Sequence, residues 1–312
     1  MPQAGRVPVS TDAYGFVGLG AMGQPMVAKA LAAGLEVHVF DKNTAAVDAL
    51  VADGAKRAAS PAAVAEAVEI VLVSLPNAPI VEAVALGDDG LIHGARMKHY
   101  IDLSTTGPTT ARKVAASMIE RGVAVLDAPV SGGPIGVRNE TLAVMAAGPS
   151  ETLDRVRPFL DTFTKTIVHL GTEVGKAQIL KLANNLLTAT NMVIVGEALA
   201  FAEKGGIDPE DLFRIVNAGS GRSWVSEIAY PKHVVTRRYD QNFRTELMHK
   251  DVTLCLQEAE RMGVPMWLGA NVRQFWQFAM TQGMGGEDCS RIAELIEGWA
   301  GIDAHAADET AG

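Results

Sequence analysis

The sequence predicts an α/β chain in which a doubly wound parallel sheet is followed by an all-helical second half. Three observations predict it. Short apolar runs of four to seven residues alternate with helical segments over residues 14–170. A glycine-rich turn, Gly18–Gly23, sits between the first such run and the first helix. After Gly171 the strand-like runs stop and long helical segments follow. Strand–helix alternation implies a parallel sheet, because parallel neighbours need a long crossover, usually a helix.

The strand candidates are Tyr14–Gly18, Val37–Asp41, Glu69–Leu75, His99–Leu103, Ala124–Asp127, Leu142–Ala147 and Thr166–Leu170. Helix starts are marked between them. Ser60-Pro61 reads as an N-cap followed by proline, and Gly107-Pro108 and Pro149-Ser150 open further helices. The second half predicts helices over roughly 175–204, 208–217, 223–230, 244–262, 265–282 and 288–299. No low-complexity linker separates the halves, so the long helix from 175 is itself the expected connection. The expected domains are 12–174 and 175–303, with 1–11 and 304–312 as flexible termini.

Composition narrows the function classes. The chain has 312 residues, 48% hydrophobic and 20% charged, which suits one large or two smaller packed domains. A formal net charge of −9 argues against a general affinity for nucleic acid, which needs clustered Lys and Arg. Cys255 and Cys289 have no CxxC spacing and read as reduced, buried thiols. The seven His form no HxxxH or His/Cys cluster, so no metal site is expected. Residues 1–12 lack the apolar stretch of a signal peptide. No run of about 18 apolar residues is evident, so no membrane span is expected. The expectation is a soluble, cytoplasmic protein.

Residues 14–23 read YGFVGLGAMG, and Gly18, Gly20 and Gly23 make G-x-G-x-x-G. Alone the motif is weak, but here a strand precedes it and a helix follows. In such a loop the first glycine permits the tight turn, the second lets backbone approach a pyrophosphate, and the third lets helix and strand pack closely. The loop residues Gly18, Leu19, Gly20, Ala21, Met22 and Gly23 are therefore cofactor-binding candidates. The next strand ends in Asp41, 23 residues beyond Gly18. Its carboxylate would accept both ribose hydroxyls and repel a 2′-phosphate, which favours NAD over NADP. Lys42 and Arg57 keep NADP as the minority option.

Residues 127–133 read DAPVSGG. Ser131, Gly132 and Gly133 follow a strand and read either as an ordinary strand-end turn or as a nest of N–H groups for a carboxylate. Leu103-Ser104-Thr105-Thr106 ends the preceding strand, and ligands of open α/β sheets sit beyond such carboxyl ends.

Residues 178–191 read QILKLANNLLTATN. At helical spacing Gln178, Lys181, Asn184 or Asn185, Thr188 and Asn191 make one polar stripe on an otherwise apolar helix. The stripe faces either solvent, with a snorkelling lysine, or a cleft. In a cleft Lys181 would serve as general base to a substrate hydroxyl, if desolvation brings its pKa toward the working pH. Asn185, one turn on, would hold both the lysine and a substrate oxygen. Lys250-Asp251 lies on another predicted helix. It reads by itself as exposed surface, with the two side chains pointing apart.

Together these residues resemble the β-hydroxyacid dehydrogenase family, the group of 3-hydroxyisobutyrate dehydrogenase and tartronate semialdehyde reductase. The likeness spans about residues 14–300. The matching pieces are GFVGLGAMGQPM at 15–26, DAPVSGGPIG at 127–136, KLANNLL at 181–187 and KD at 250–251. The resemblance implies a Rossmann domain joined to an all-helical domain by a long helix, in homodimers or homotetramers. It implies hydride transfer between a nicotinamide cofactor and a small 3-hydroxy acid. It also implies Lys181 as general acid/base, supported by Asn185, and Ser131, Gly132 and Gly133 as the carboxylate site. Lys250 would close over cofactor and substrate, and Thr105 would lie near the nicotinamide ribose.

Four departures bear on the substrate: Ala177 where the family often has glycine, Arg138 and Glu140 after the serine-glycine turn, and Ala146-Ala147-Gly148 in place of Val-Gly-Gly. Glu140 also stands where glycine is common, and a charge there would select another chain length or head group. The expected function is NAD-dependent oxidation of a 3-hydroxyisobutyrate-like acid. The alternatives are a relative acting on threonate or a sulfonate analogue, or an NADPH-dependent reductase of tartronate or succinic semialdehyde or glyoxylate. A non-catalytic dinucleotide-binding sensor is the remaining class. A 6-phosphogluconate-type reaction lacks its basic cluster here, and imine reductases typically lack the lysine kept at 181.

Overall fold

The computed structural model describes residues 12–302, and the expectations for 1–11, 303 and 304–312 lie outside them. The chain divides into two compact units, with the boundary between Lys181 and Leu182.

The first unit alternates strands and helices. In order they are β1 (Ala13–Val17), α1 (Gly23–Ala32), β2 (Glu36–Phe40), α2 (Thr44–Ala52), β3 (Lys56–Arg57), α3 (Pro61–Ala67), β4 (Ile70–Val73), α4 (Ala78–Leu86), β5 (His99–Asp102), α5 (Pro108–Glu120), β6 (Ala124–Asp127), β7 (Val130–Ser131), α6 (Gly133–Arg138), β8 (Leu142–Ala146), α7 (Ser150–Leu160) and β9 (Thr164–His169). Six strands form a parallel sheet in the order β3-β2-β1-β4-β5-β6. The order reverses between β1 and β4, and such a switch point opens a crevice at the carboxyl ends of the strands.

Strands β1, β4, β5 and β6 each feed two cores. Tyr14, Phe16, Ile70 and Leu72 face one, while Val17, Val71, Val73 and Tyr100 face the other. Both faces of the sheet are therefore buried, as a parallel sheet requires. On the first face Phe159 of α7 packs against the rings of Tyr14 and Phe16.

Two expectations are corrected. The strands near 142 and 166 do not extend the main sheet. They form a separate three-stranded sheet, β7-β8-β9, in which β7 and β8 are antiparallel. Pro129, two residues beyond β6, supplies no ladder donor, so the chain leaves the sheet there, and β7 and β8 pair with α6 between them. Strand β3 was not expected, because two exposed charged residues carry no apolar signal.

Helix α8 (Lys176–Lys204) begins in the first unit and continues into the second. The second unit goes on with α9 (Pro209–Ala218), a π-helical segment Val225–Val234, α10 (Thr245–Arg261), α11 (Trp267–Thr281) and α12 (Ile292–Trp299). The segment expected as an α-helix at 223–230 is π-helical and longer because Pro231 lies inside it. Proline lacks an N–H and crowds the carbonyl four residues back, so the ladder widens there. The helix expected over 288–299 begins with a 3₁₀ turn, Cys289–Arg291, capped by Asp288. Met192, Tyr230 and Trp276 centre this unit's own core. Both cysteines are buried and free, and burial pushes both thiols up.

By length and composition alone, α8 is long and apolar enough to cross a membrane. Ala189, Met192, Val193 and Leu199 bury one side of it in the second unit's core. A long core helix passes the same test.

Candidate active site

The turn after β1 divides its work among three glycines. Gly18 has a φ of +100°, and a Cβ there would lie 2.3 Å from the Ser74 carbonyl oxygen. A Cβ on Gly23 would lie 1.9 Å from the Gly18 carbonyl oxygen. No side chain fits at either position. Gly20 has no atom within 4 Å of its Cβ position, and it and Ala21 are exposed. Leu19 is buried and Met22 half-buried. The N-terminus of α1 has no side-chain cap. Open backbone at the start of an uncapped helix suits an anion such as a pyrophosphate.

Asp41 follows β2 directly and is half-buried. Its Oδ2 accepts the Leu19 N–H at 2.6 Å and its Oδ1 the Asn43 N–H at 2.7 Å. The carboxylate is thus fixed against the glycine turn. Arg57 is ion-paired with Asp48, and Lys42 is exposed.

Beyond β5 and β6 a buried polar network forms. Asp102 and Asp127 are register neighbours on these strands, and both are buried. Asp102 Oδ1 accepts the Ser104 N–H at 2.8 Å, and Ser104 Oγ accepts the Leu75 N–H at 2.9 Å. Asp127 Oδ2 accepts the N–H groups of Gly175 at 3.0 Å and Gln178 at 3.2 Å, and so caps α8 from a distant strand. The Gln178 amide is fully buried and joins four partners. Its Oε1 accepts the N–H groups of Thr106 and Gly107, each at 3.0 Å. Its Nε2 donates to the Ser104 carbonyl at 3.0 Å and to Asp127 Oδ1 at 2.7 Å. Burial raises the Asp127 carboxyl to about 7, and the Asp102 carboxylate adds to the rise. The hydrogen bonds from Gln178 and Gly175 oppose it.

Thr105 is half-buried in this loop. The Thr106 hydroxyl is buried with no hydrogen-bond partner, a polar atom that a bound ligand would satisfy. With the open glycine turn, this fits a dinucleotide along the carboxyl edge of the sheet.

Gly132 and Gly133 have φ of +127° and +62°, and nothing lies within 4 Å of the Gly133 Cβ position. Ser131 ends β7 half-buried. Glu140 is exposed, with φ +58°, and pairs with Lys29 in the last turn of α1 at 2.6 Å. The positive φ accounts for a glycine preference at this position. Arg138 is also exposed. Neither charge is buried toward a ligand.

Lys181 is only 8% exposed, one turn beyond Gln178 on α8. In the second unit, Asn185 Nδ2 donates to Asp251 Oδ2 at 2.5 Å, and Lys250 Nζ lies 3.1 Å from Asp251 Oδ1. This overturns the expectation that Lys250 and Asp251 point apart. Their Cβ atoms do diverge on the helix, but a four-carbon stem lets the ammonium fold back onto its neighbour. Asp251, 2% exposed, organises both Asn185 and Lys250.

Sequence reasoning missed the work of Gln178, Asp102, Asp127 and Asp251. One signal was present: two buried strands, HYID and AVLD, both end in aspartate. Among the described residues no group of three or more His, Cys, Asp or Glu side chains is placed to hold a metal ion.

Residues 13–171 match the family described as the NAD binding domain of 6-phosphogluconate dehydrogenase. Residues 175–296 match the NAD-binding family of NADP-dependent 3-hydroxyisobutyrate dehydrogenase. The 3-hydroxyisobutyrate dehydrogenase of Pseudomonas aeruginosa is 38% identical over 295 residues, covering 91% of this chain and 98% of the relative. The 2-(hydroxymethyl)glutarate dehydrogenase of Eubacterium barkeri is 35% identical over 289 residues, covering 92% and 96%. The solved structure of Mycobacterium tuberculosis 3-hydroxyisobutyrate dehydrogenase with L-serine has a TM-score of 0.82 at 30% identity, covering 92% of this chain and 99% of that one.

Proposed function

Since the chain belongs to the β-hydroxyacid dehydrogenase family of NAD(P)-dependent oxidoreductases, we propose that it interconverts a small 3-hydroxy acid, 3-hydroxyisobutyrate-like, and its semialdehyde with NAD. One observation carries this reading: a lysine only 8% exposed, Lys181, stands one helical turn from the buried clamp at the carboxyl edge of a dinucleotide-type sheet. When bound, the nicotinamide supplies the hydride acceptor or donor. Lys181 takes the proton from the substrate hydroxyl during oxidation and returns it to the carbonyl oxygen during reduction. Ser131 and the backbone of Gly132 and Gly133 hold the carboxylate. Asn185 steadies the reacting oxygen, and Lys250 supplies a second cation for substrate and cofactor. Gly18–Gly23 cradle the pyrophosphate, Asp41 accepts the ribose hydroxyls, and Thr105 serves the nicotinamide side.

The preference for NAD rests on Asp41, whose carboxylate is fixed by two backbone N–H groups where a 2′-phosphate would add charge. Arg57, the alternative phosphate partner, is already engaged by Asp48. The partners in this reading are a small carboxylate substrate and further copies of the chain, as a homodimer or homotetramer, and neither nucleic acid nor membrane. Leu187, Ile194 and Phe201 support self-association: they recur every seven residues on one face of α8, and all are exposed. Two free thiols suit a cytoplasmic enzyme, the localisation that goes with this reading.

The test is steady-state reduction of NAD⁺ and of NADP⁺ over a panel. It comprises 3-hydroxyisobutyrate, 3-hydroxypropionate, glycerate, serine, threonate, a C3 sulfonate and 2-(hydroxymethyl)glutarate. Turnover of a short 3-hydroxy acid with NAD⁺ is the expected result. Lys181→Ala should lose about 10²–10⁴-fold in kcat while still binding NAD. Equal turnover by wild type and Lys181→Ala would remove the lysine from the mechanism. Silence over the panel with NAD still bound would favour a non-catalytic sensor.

A further inference from the structure

A buried general base works only if its helix is fixed against the groups that hold the reactants. Lys181 sits about 4.5 Å along the axis from Gln178, so the two move together as part of one rigid turn. The Gln178 amide uses both of its donors and both acceptor positions, a full complement for that group. The pattern is directional. One end meets two N–H groups from the Ser104–Gly107 loop, and the other meets a carbonyl of the same loop and the Asp127 carboxylate. Asparagine is too short for this span, and methionine would leave every partner unpaired in a dry interior.

Resting on the role given to Lys181 above, we propose that Gln178 is a positioning residue: its single amide locks the turn that carries Lys181 to the Ser104–Gly107 loop and to the Asp127 end of β6. Asp127 receives three donors, none of them a cation. The group alongside it in register is the Asp102 carboxylate, whose other oxygen faces the Tyr100 hydroxyl. The clamp therefore depends on donor and acceptor direction and not on ion pairing, and that makes it testable by reversal.

Gln178→Glu removes the two donors and places a third carboxylate beside the pair. Asp127→Asn places a donor against the Gln178 donor. Combined, they restore one bond with its direction reversed: the new amide at position 127 donates to the new carboxylate at position 178. Each single variant is expected to lose about a hundredfold in kcat, as a misplaced catalytic group does. The double variant should recover to within about tenfold of wild type. A second readout needs no turnover. Competitive acylation of Lys181, quantified by peptide mass spectrometry against Lys176, should change by more than about threefold in each single variant and return in the double.

Single variants with wild-type kcat and unchanged Lys181 acylation overturn the proposal. If a single variant does not fold, the double variant decides: recovery supports the clamp, and a loss as large as the singles overturns it. If wild type turns over nothing on the panel, the proposed function falls. The acylation arm still decides whether Gln178 sets Lys181.

Discussion

Asp41 serves two backbone N–H groups at once, one from the glycine turn and one from the start of α2. Asp41→Ser should therefore weaken NAD binding by about tenfold or more and raise the NADP⁺/NAD⁺ ratio of kcat/KM, since a like charge leaves the 2′ position. A ratio that stays put would shift the discrimination elsewhere. Glu140 offers the opposite expectation. Its left-handed backbone costs about 1–2 kcal/mol. Glycine would relieve that but lose roughly 0.5–1 kcal/mol to unfolded-chain freedom. It would also lose an exposed pair with Lys29 worth under about 1 kcal/mol. Glu140→Gly should thus leave stability within about 1 kcal/mol of wild type in urea denaturation, with an unchanged substrate profile. At this scale the sequence displayed the residue types but not their partners. Lys250 and Asp251 were conspicuous as a dipeptide, yet their pairing depends on how the lysine side chain bends, and the hold of Asp251 on Asn185 spans distant segments. Gln178 showed only as one polar position in a stripe, because its four partners lie 51 or more residues away.

Helix α8 has a cap that titrates. Asp127 binds its proton more tightly in the folded chain, at about 7, than in the unfolded one. Its contribution to stability is full below about pH 4 and is lost as the pH climbs through about 7, because the unfolded chain releases that proton first. The difference in unfolding free energy between wild type and Asp127→Asn, followed by denaturant titration from pH 4 to pH 8, should fall across that window and level off above it. A flat difference would show that the buried carboxyl is already ionised at pH 4. Element boundaries were legible wherever an apolar run met a turn signal. They failed where another rule governed. Strand β3 forms from two charged residues on a sheet edge, and the π-helical turns around Pro231 follow from a missing N–H that periodicity does not register.

At the scale of the molecule, alternating strands and helices disclosed a parallel sheet, and the end of alternation disclosed a helical second unit. Sheet membership was not disclosed. Whether β8 and β9 extend the main sheet depends on pairing across distant segments, and a local pattern does not encode that pairing. The apolar face of α8 gives a test of the whole. Phe201 is 83% exposed, and Phe201→Asp should lower the mass measured by light scattering to that of a single chain. An unchanged mass would remove this face from the proposed self-association. Bound NAD, at a hundred times its Kd, should stabilise the protein by about 2.7 kcal/mol. Thermal shift assays should show a larger rise with NAD than with NADP at equal concentration.

The six-stranded sheet has two borders at which a foreign strand could attach. At one, β3 presents Lys56 and Arg57, held by Glu36 and Asp48. At the other, β6 is shielded by its own chain, through the bridge between Asp127 and Ala147. Charge guards one border, and two backbone hydrogen bonds between Asp127 and Ala147 close the end of the other. Lys56 and Arg57 keep their charge in acid, so the β3 border still repels a second copy of itself when its carboxylate partners are neutralised. Association at low pH would therefore not begin from the β3 side.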